Sequence, residues 1–290
     1  MESAFDMDES LISHVSDTAL WIAAIRAQET ERRDAVFKDP LAGTLAGERG
    51  RQIVASIPHG EAMAFAMVVR TTAIDRLIGH AIASGVDTVI NLGAGLDTRP
   101  YRMSLPAGLA WIEVDYPHLI AYKNDQLLSE KAVCALERMS ADLSQETETD
   151  ELFSRIGSRT KNALVITEGL IGYLANEQAA ALSRKLFAVP SFRYWIQDYS
   201  QGRMRKNRRT RQIGAKFKHA PWQFSVADPL GFFGQHGWTV RERIFILDEA
   251  ERIGRAFPVM FPWSLLLRLF PATIKKLGNK TYGYVMFGRS

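Results

Sequence analysis

The sequence predicts an α/β fold: a mostly parallel, doubly wound sheet behind a helical N-terminal segment. Three observations predict it. From residue 87 onward, short apolar runs of strand-forming residues alternate with stretches of helical length. Before residue 86 no such run occurs, and the apolar spacing is helical. The first run, Val89-Ile90-Asn91-Leu92, passes directly into Gly93-Ala94-Gly95, a turn in which glycine permits unusual backbone angles and close approach of a ligand.

Taken in order, residues 17–84 read as helical throughout. Ala19, Leu20, Ile22, Ala23, Ile25 and Ala27 give one apolar face. A second long pattern over 59–84 carries Met63, Met67, Ile74, Leu77, Ile78 and Ile82 and stops at Gly85, a usual helix end. Strands follow at 87–92, 110–115, about 134–140, 163–167 and 193–198. Helices lie between them near 117–130, 147–156 and 177–188, the last with Asn176 as its expected N-cap. Residues 238–246 and 281–288 read as two more strands separated by a helical insert, the final one adding antiparallel at the sheet edge. This gives a helical cover over 1–85 and an α/β core over 86–290 with a helical insert near 200–225.

Composition narrows the classes. The chain has 290 residues, 47% hydrophobic and 23% charged, enough for a core of ordinary size. A single cysteine, Cys134, excludes an internal disulfide and a multi-cysteine metal site, and is expected as a small buried residue; no metal site is expected. The acidic start Met1-Glu2-Ser3-Ala4-Phe5-Asp6 lacks the pattern of a signal peptide. The apolar stretch from Phe257 to Ile274 is broken by Arg268, Pro258, Pro262 and Pro271, so no membrane span and a cytoplasmic location are expected. The net charge of +4 is uneven: residues 203–218 hold eight basic side chains and no acid. That run reads as a solvated face, or as attraction for an anionic substrate or surface. Few aromatics are interleaved in it, so nucleic acid is not the expected partner.

The motif chemistry points to a nucleoside cofactor. Asp115 ends the second run, Trp111-Ile112-Glu113-Val114-Asp115, 22 positions after Gly93, where a carboxylate meets ribose hydroxyls in a βαβ site. A dinucleotide fingerprint would carry a third glycine where Thr98 stands, and Asp97 would bring negative charge towards a pyrophosphate. A cofactor with no phosphate and a cationic centre fits better: S-adenosylmethionine. Two further strand ends carry acids. Asp142, beside Leu143, suits an adenine amino group with an apolar neighbour for the ring, and Glu168 follows the fourth strand. Ligands in open α/β sheets bind beyond these strand ends.

These motifs carry a resemblance. The runs Asn91-Leu92-Gly93-Ala94-Gly95-Leu96-Asp97-Thr98-Arg99-Pro100-Tyr101-Arg102, Glu113-Val114-Asp115-Tyr116-Pro117 and Thr167-Glu168-Gly169-Leu170-Ile171-Gly172-Tyr173-Leu174 resemble the leucine carboxyl methyltransferase family. The bacterial branch that includes the tetracenomycin polyketide carboxyl O-methyltransferases is the most similar. Thr18-Ala19-Leu20, Phe37-Lys38-Asp39-Pro40-Leu41-Ala42 and Arg70-Thr71-Thr72-Ala73-Ile74-Asp75 extend it. The resemblance implies a class I methyltransferase fold of Rossmann-like type, with a mostly parallel seven-stranded sheet, an antiparallel C-terminal edge strand and the helical cover. It implies that Arg70 pairs with the methionyl carboxylate and that Gly93 and Gly95 lie along the methionine part. Asp115 then holds the ribose, Asp142 and Leu143 the adenine, and Glu168 lies near the amino or sulfonium end. Arg99 and Arg102 are read as braces of the glycine loop.

The expected reaction is O-methylation of a small molecule, with a carboxylate, polyketide-like or another small acid, as first acceptor. A carboxylate needs no general base, whereas a phenol benefits from one. No histidine falls in a motif that marks it as a base, and His118 and His236 read as structural or surface groups. No catalytic residue is assigned; Tyr173 is a candidate for lining the substrate pocket, and Trp222 with Phe224 for capping a flat anionic acceptor together with Arg208 and Arg209. The residues leave four other readings open: a phenol or hydroxyl acceptor, a protein C-terminal carboxylate, a nicotinamide oxidoreductase, and a non-catalytic binding protein on the same fold.

Overall fold

The computed structural model describes residues 15–57, 60–200, 222–256, 258 and 282–289. The helical insert expected near 200–225, the basic run 203–218 and the apolar stretch 257–274 lie almost wholly outside the described residues.

Three helices come first: α1 (Val15–Glu31), α2 (Ala42–Ser56) and α3 (Glu61–Ala83). The single helical reading of 17–84 is therefore interrupted at 32–41 and 57–60. Pro40 lacks an N–H and disfavours helix at the residue before it, and Asp39 turns its side chain inward instead of continuing a helix. α3 ends as its sequence predicts. Gly85 takes φ +89°, Gly85 N donates to Ile82 O, and Val86 N donates to Ala81 O, which satisfies the last carbonyls of the helix.

The core follows as β1 (Thr88–Leu92), α4 (Arg99–Arg102), β2 (Ala110–Asp115), α5 (Pro117–Gln126), β3 (Ala135–Ser140), α6 (Glu146–Gly157), β4 (Ala163–Ile166), a 3-10 turn (Ile171–Tyr173), α7 (Asn176–Ala188), β5 (Phe192–Ser200), α8 (Pro229–Gly234), β6 (Trp238–Phe245), α9 (Ile246–Arg252) and β7 (Tyr282–Arg289). The sheet order is β3-β2-β1-β4-β5-β7-β6. β1 to β5 are parallel, and β7 is antiparallel to both β5 and β6. This is the α/β class I methyltransferase architecture with a helical N-terminal cover. One detail is corrected: the antiparallel final strand is not the edge strand. β7 is buried without a break from Gly283 to Gly288, on both faces, so it belongs inside the sheet. β6 carries exposed Thr239, Val240, Arg241 and Arg243 and takes the edge, where charge discourages pairing with other chains.

Strand alternation divides the core in two. Ile90, Leu92, Ile112, Val114 and Trp195 face α6, α7 and α8; Val89, Trp111, Leu164, Ile196 and Tyr284 face α3 and α9. Asn176 is not the N-cap of α7. Ala175 holds that place, its N–H donating to Gln178 Oε1, while Asn176 exchanges hydrogen bonds with the backbone of Ser225. Cys134 is half-buried against the α3 face, and burial raises its thiol pKa to about 11. No described helix is long and apolar enough to cross a membrane, and no group of potential metal ligands occurs among the described residues.

Candidate active site

The strand order reverses between β1 and β4, and in open α/β sheets ligands bind at such a point, beyond the carboxyl ends of the strands. The glycine turn leaves β1 at this point. Gly93 and Gly95 take φ +68° and +49°, the left-handed region that side chains resist. The N–H groups of Gly93 and Ala94 both donate to Val114 O at the end of β2. Asp115, the next residue of β2, accepts from Gly95 N at 2.6 Å and from Tyr116 N at 2.7 Å, one bond on each oxygen. A carboxylate offers about four acceptor sites, so each oxygen keeps capacity for one more donor, the need of a vicinal diol. Burial, which leaves Asp115 only 7% exposed, raises its carboxyl pKa, and the two amide bonds oppose that rise.

Arg70 comes from α3 and Glu168 from the turn after β4. Their Nε and Oε1 lie 2.7 Å apart, and Glu168 Oε2 lies 2.8 Å from Arg99 Nη1. The structure thus brings Arg70 and Glu168 together as a pair. The Arg70 Nε–H, although buried, is not aligned on any acceptor. Burial alone lowers the pKa of Arg70, but the Glu168 and Asp198 carboxylates outweigh it and hold the guanidinium protonated. Gly169, at φ +68°, packs its Cα against this guanidinium: a Cβ there would lie 3.3 Å from Arg70 Nη1.

Arg99 and Arg102 brace the glycine loop. Arg99 contacts Asp97 at 2.9 Å and Asp75 at 2.6 Å, and Arg102 holds the other oxygen of Asp75 at 2.7 Å. Burial pushes the Asp75 carboxyl up, but the two arginines bring it below its usual range; Asp97 behaves likewise beside Arg99. Asp97 does not point at a ligand. It is buried and accepts from Asn91 Nδ2 and from Arg99, so its charge is met inside the protein, and the sequence argument that this charge opposes a pyrophosphate is corrected. Thr98 donates instead to Asp39, which also pairs with Arg26 of α1.

Asp142 and Leu143 follow β3 on the far side of Asp115. Asp142 Oδ1 accepts from Ser144 N at 2.9 Å, and Leu143 packs on the core. Tyr116 stands between the two acids: burial raises its pKa, and Asp142 and Asp115 raise it further. Tyr173 ends the 3-10 turn five residues beyond Glu168. Its carbonyl accepts from Gln223 Nε2, and Gly172 O accepts from Gln223 N at 2.8 Å. This sets Trp222, 54% exposed, against Gly172. His118 is exposed and stacked on Tyr116, and His236 packs on Phe232.

Two groups escape the sequence reading. Asp198 lies in β5, two residues before its end, and accepts from Gly169 N next to Glu168, and Tyr282 opens β7 beside Asp198. An acid after the apolar run Tyr194-Trp195-Ile196 is the one local signal for the first; nothing in the local sequence marks the second.

Glu168 and Asp198 set two carboxylates beside Arg70, and Asp115 keeps acceptor capacity for a diol. The donor set fits S-adenosylmethionine.

Comparison with known proteins agrees. The model of the leucine carboxyl methyltransferase family matches residues 19–187. A protein of Streptomyces coelicolor, assigned by name to the S-adenosyl-L-methionine-dependent methyltransferases, is 33% identical over 80% of this chain and 87% of its own length. A protein of Frankia alni with the same assignment is 30% identical over 86% and 90%. In structure, a protein of the duf574 family from Streptomyces avermitilis superimposes with a TM-score of 0.57 over 92% of this chain and 97% of its own, at 12% identity, a likeness of fold alone. Glycine turn, strand-end acids and matched family converge: the chain is an S-adenosylmethionine-dependent methyltransferase and belongs to the leucine carboxyl methyltransferase family.

Proposed function

We propose that the acceptor is a small-molecule oxygen nucleophile, a carboxylate first, on a polyketide-like or similar flat acid. The observation that carries this reading is the exposed indole of Trp222, set against Gly172 four residues beyond Glu168 by the bonds of Gln223 to Gly172 O and Tyr173 O. An exposed indole close in the chain to Glu168 offers a face for a planar acceptor. The family's description supports a carboxyl acceptor, and the likeness to the tetracenomycin carboxyl O-methyltransferases supports a polyketide-like one.

In this reading Asp115 holds the ribose diol, Asp142 and Leu143 bound the adenine, and Gly93 and Gly95 admit the methionine part against the backbone. Arg70 binds the methionyl carboxylate and Glu168 the amino group. The cofactor supplies an activated methyl group on sulfur. An acceptor carboxylate is ionised at neutral pH, so the side chains need remove no proton. Their work is to hold the oxygen in line with the methyl carbon and to exclude water.

The test is methyl transfer from radiolabelled S-adenosylmethionine to matched sets of aromatic acids and phenols, with the product treated with base. An acid acceptor gives an ester that releases methanol under base. Turnover of phenols alone, giving base-stable ethers, overturns the carboxylate reading; turnover of a C-terminal peptide carboxylate with none of the small acids overturns the small-molecule reading.

A further inference from the structure

β4 and β5 run parallel with Ile166 opposite Ile196, so Glu168 and Asp198 stand two residues beyond the same rung. Asp198 follows Tyr194 and Ile196 by alternation and therefore lies on the α3 face, the face from which Arg70 comes. Its two oxygens have separate tasks. Oδ1 accepts from Gly169 N at 2.7 Å, and Oδ2 accepts from the Tyr282 hydroxyl at 3.3 Å. Gly169 is the residue whose left-handed backbone brings Glu168 back against Arg70. Leu170 N donates to Thr167 O across this turn, and the Gly169 amide, which makes no strand bond, is held by the carboxylate of Asp198.

We infer that Asp198 is a positioning residue for the amino-acid end of the cofactor. It locks the Glu168–Gly169 turn so that Glu168 and Arg70 face that end at fixed spacing, and Tyr282 in turn orients Asp198. This rests on the assignment of Arg70 and Glu168 to the amino-acid end. A purely structural role for Asp198 predicts equal losses for every adenosine ligand. A positioning role predicts a loss confined to ligands that carry the amino acid.

The experiment compares S-adenosylhomocysteine with 5′-methylthioadenosine, which keeps the nucleoside and the sulfur but lacks the amino-acid end. Both are titrated calorimetrically into the wild type, Asp198→Ala, Asp198→Asn and Arg70→Met. Loss of a hydrogen bond to a charged group is worth about tenfold to a hundredfold in affinity. Asp198→Ala is expected to weaken S-adenosylhomocysteine by at least about tenfold on that scale, with 5′-methylthioadenosine within about twofold. Asp198→Asn keeps a carbonyl oxygen for Gly169 and recovers most of the affinity. Equal weakening of both ligands by Asp198→Ala, or of neither, overturns the inference. Should that variant not fold, Tyr282→Phe, which removes one of the two donors to Asp198, must still lower the affinity ratio of the two ligands, and an unchanged ratio overturns the inference. Arg70→Met tests the underlying assignment separately. A ratio unchanged in Arg70→Met overturns the assignment, whereas a ratio that collapses there but not in Asp198→Ala overturns only the role of Asp198.

Discussion

Replacing Asp115 with asparagine isolates its charge and acceptor capacity with little change of shape. The carboxylate accepts from Gly95 N and Tyr116 N, one bond on each oxygen. Asparagine has one carbonyl oxygen, so its amide NH2 must face one of these two donors. An unsatisfied buried donor costs about 1–3 kcal/mol. Burial already raises the Asp115 pKa, which means its charged form is held at a cost that the neutral amide escapes. The net loss therefore falls in the lower part of that range, a melting temperature lower by about 2–8 °C. Binding loses more. One charge-assisted bond from a ribose hydroxyl is worth about 1.5–3 kcal/mol, so S-adenosylhomocysteine should bind about 10- to 150-fold more weakly by calorimetry. The pH profile supplies an independent sign. Ligand hydroxyls donate to the ionised carboxylate, so binding favours loss of its proton, and affinity falls as pH drops through the raised pKa. The wild type should lose affinity at a pH above the ordinary aspartate value of about 3.9, while Asp115→Asn lacks this acid limb. The same raised pKa makes ionisation of this group destabilising to the free protein, so its own contribution favours the fold on acidification, opposite to the effect on binding. A folded variant that binds within about twofold of the wild type, or that keeps the acid limb, refutes the assignment of Asp115 to the ribose.

Removing the guanidinium in Arg99→Met leaves Asp75, Asp97 and Glu168 without the cation they share, and breaking such a buried network should cost about 3–5 kcal/mol in urea or thermal unfolding. Asp75 and Asp97 have lowered carboxyl pKa values, so their stabilisation is present above the unfolded value and lost as pH falls through the folded one; the acid-unfolding midpoint should rise in Arg99→Met, as followed by circular dichroism. Trp222→Ala removes the exposed indole from Gly172; KM for a planar acceptor should rise about tenfold, on the scale of one lost stacking contact of about 1–1.5 kcal/mol, while S-adenosylhomocysteine affinity stays unchanged. An unchanged KM in the steady-state assay would remove Trp222 from the acceptor site.

Local signals were sufficient where one residue type does one job. Val89 to Leu92 run apolar into a glycine turn, and the strand and both positive-φ glycines stand there. Gly85 ends α3 because only glycine enters the left-handed C′ position cheaply. What the sequence hides is pairing at a distance. Asp97 reads locally as a loop acid facing the ligand, yet Asn91 and Arg99 turn it inward. Asp39 reads as part of a helical run, yet it meets Thr98, 59 residues away. Asp198 sits inside a strand that continues to Ser200, so no glycine or break marks it as a strand end, and its function depends on Gly169, 29 residues earlier. The order of β6 and β7 likewise depends on which strand can tolerate solvent, a comparison between two segments rather than a property of either.

The same long-range pairing bears on whether the N-terminal helices act as a lid. Opening α1 would separate Arg26 from Asp39 and from Leu96 O. Both partners would then hydrate, so these polar bonds set register more than they add stability. The apolar contacts decide the energy. Trp21 and Ile25 of α1 pack with Ile53 of α2 and Val68 of α3, and Ala23, Ala24 and Leu45 pack with Leu96 beside the glycine turn. Each large side chain exposed costs about 1.5–3 kcal/mol, and Trp21, Ile25, Leu45 and Leu96 would be exposed together. That sum is comparable with the whole stability of a domain, so α1 should open only with global unfolding. Native-state hydrogen exchange checks this: amides of α1 from Trp21 to Arg26 should exchange as slowly as those of β1, with or without S-adenosylhomocysteine. Exchange in α1 faster than in β1 by orders of magnitude, and slowed by the ligand, would show a lid and refute the packing argument.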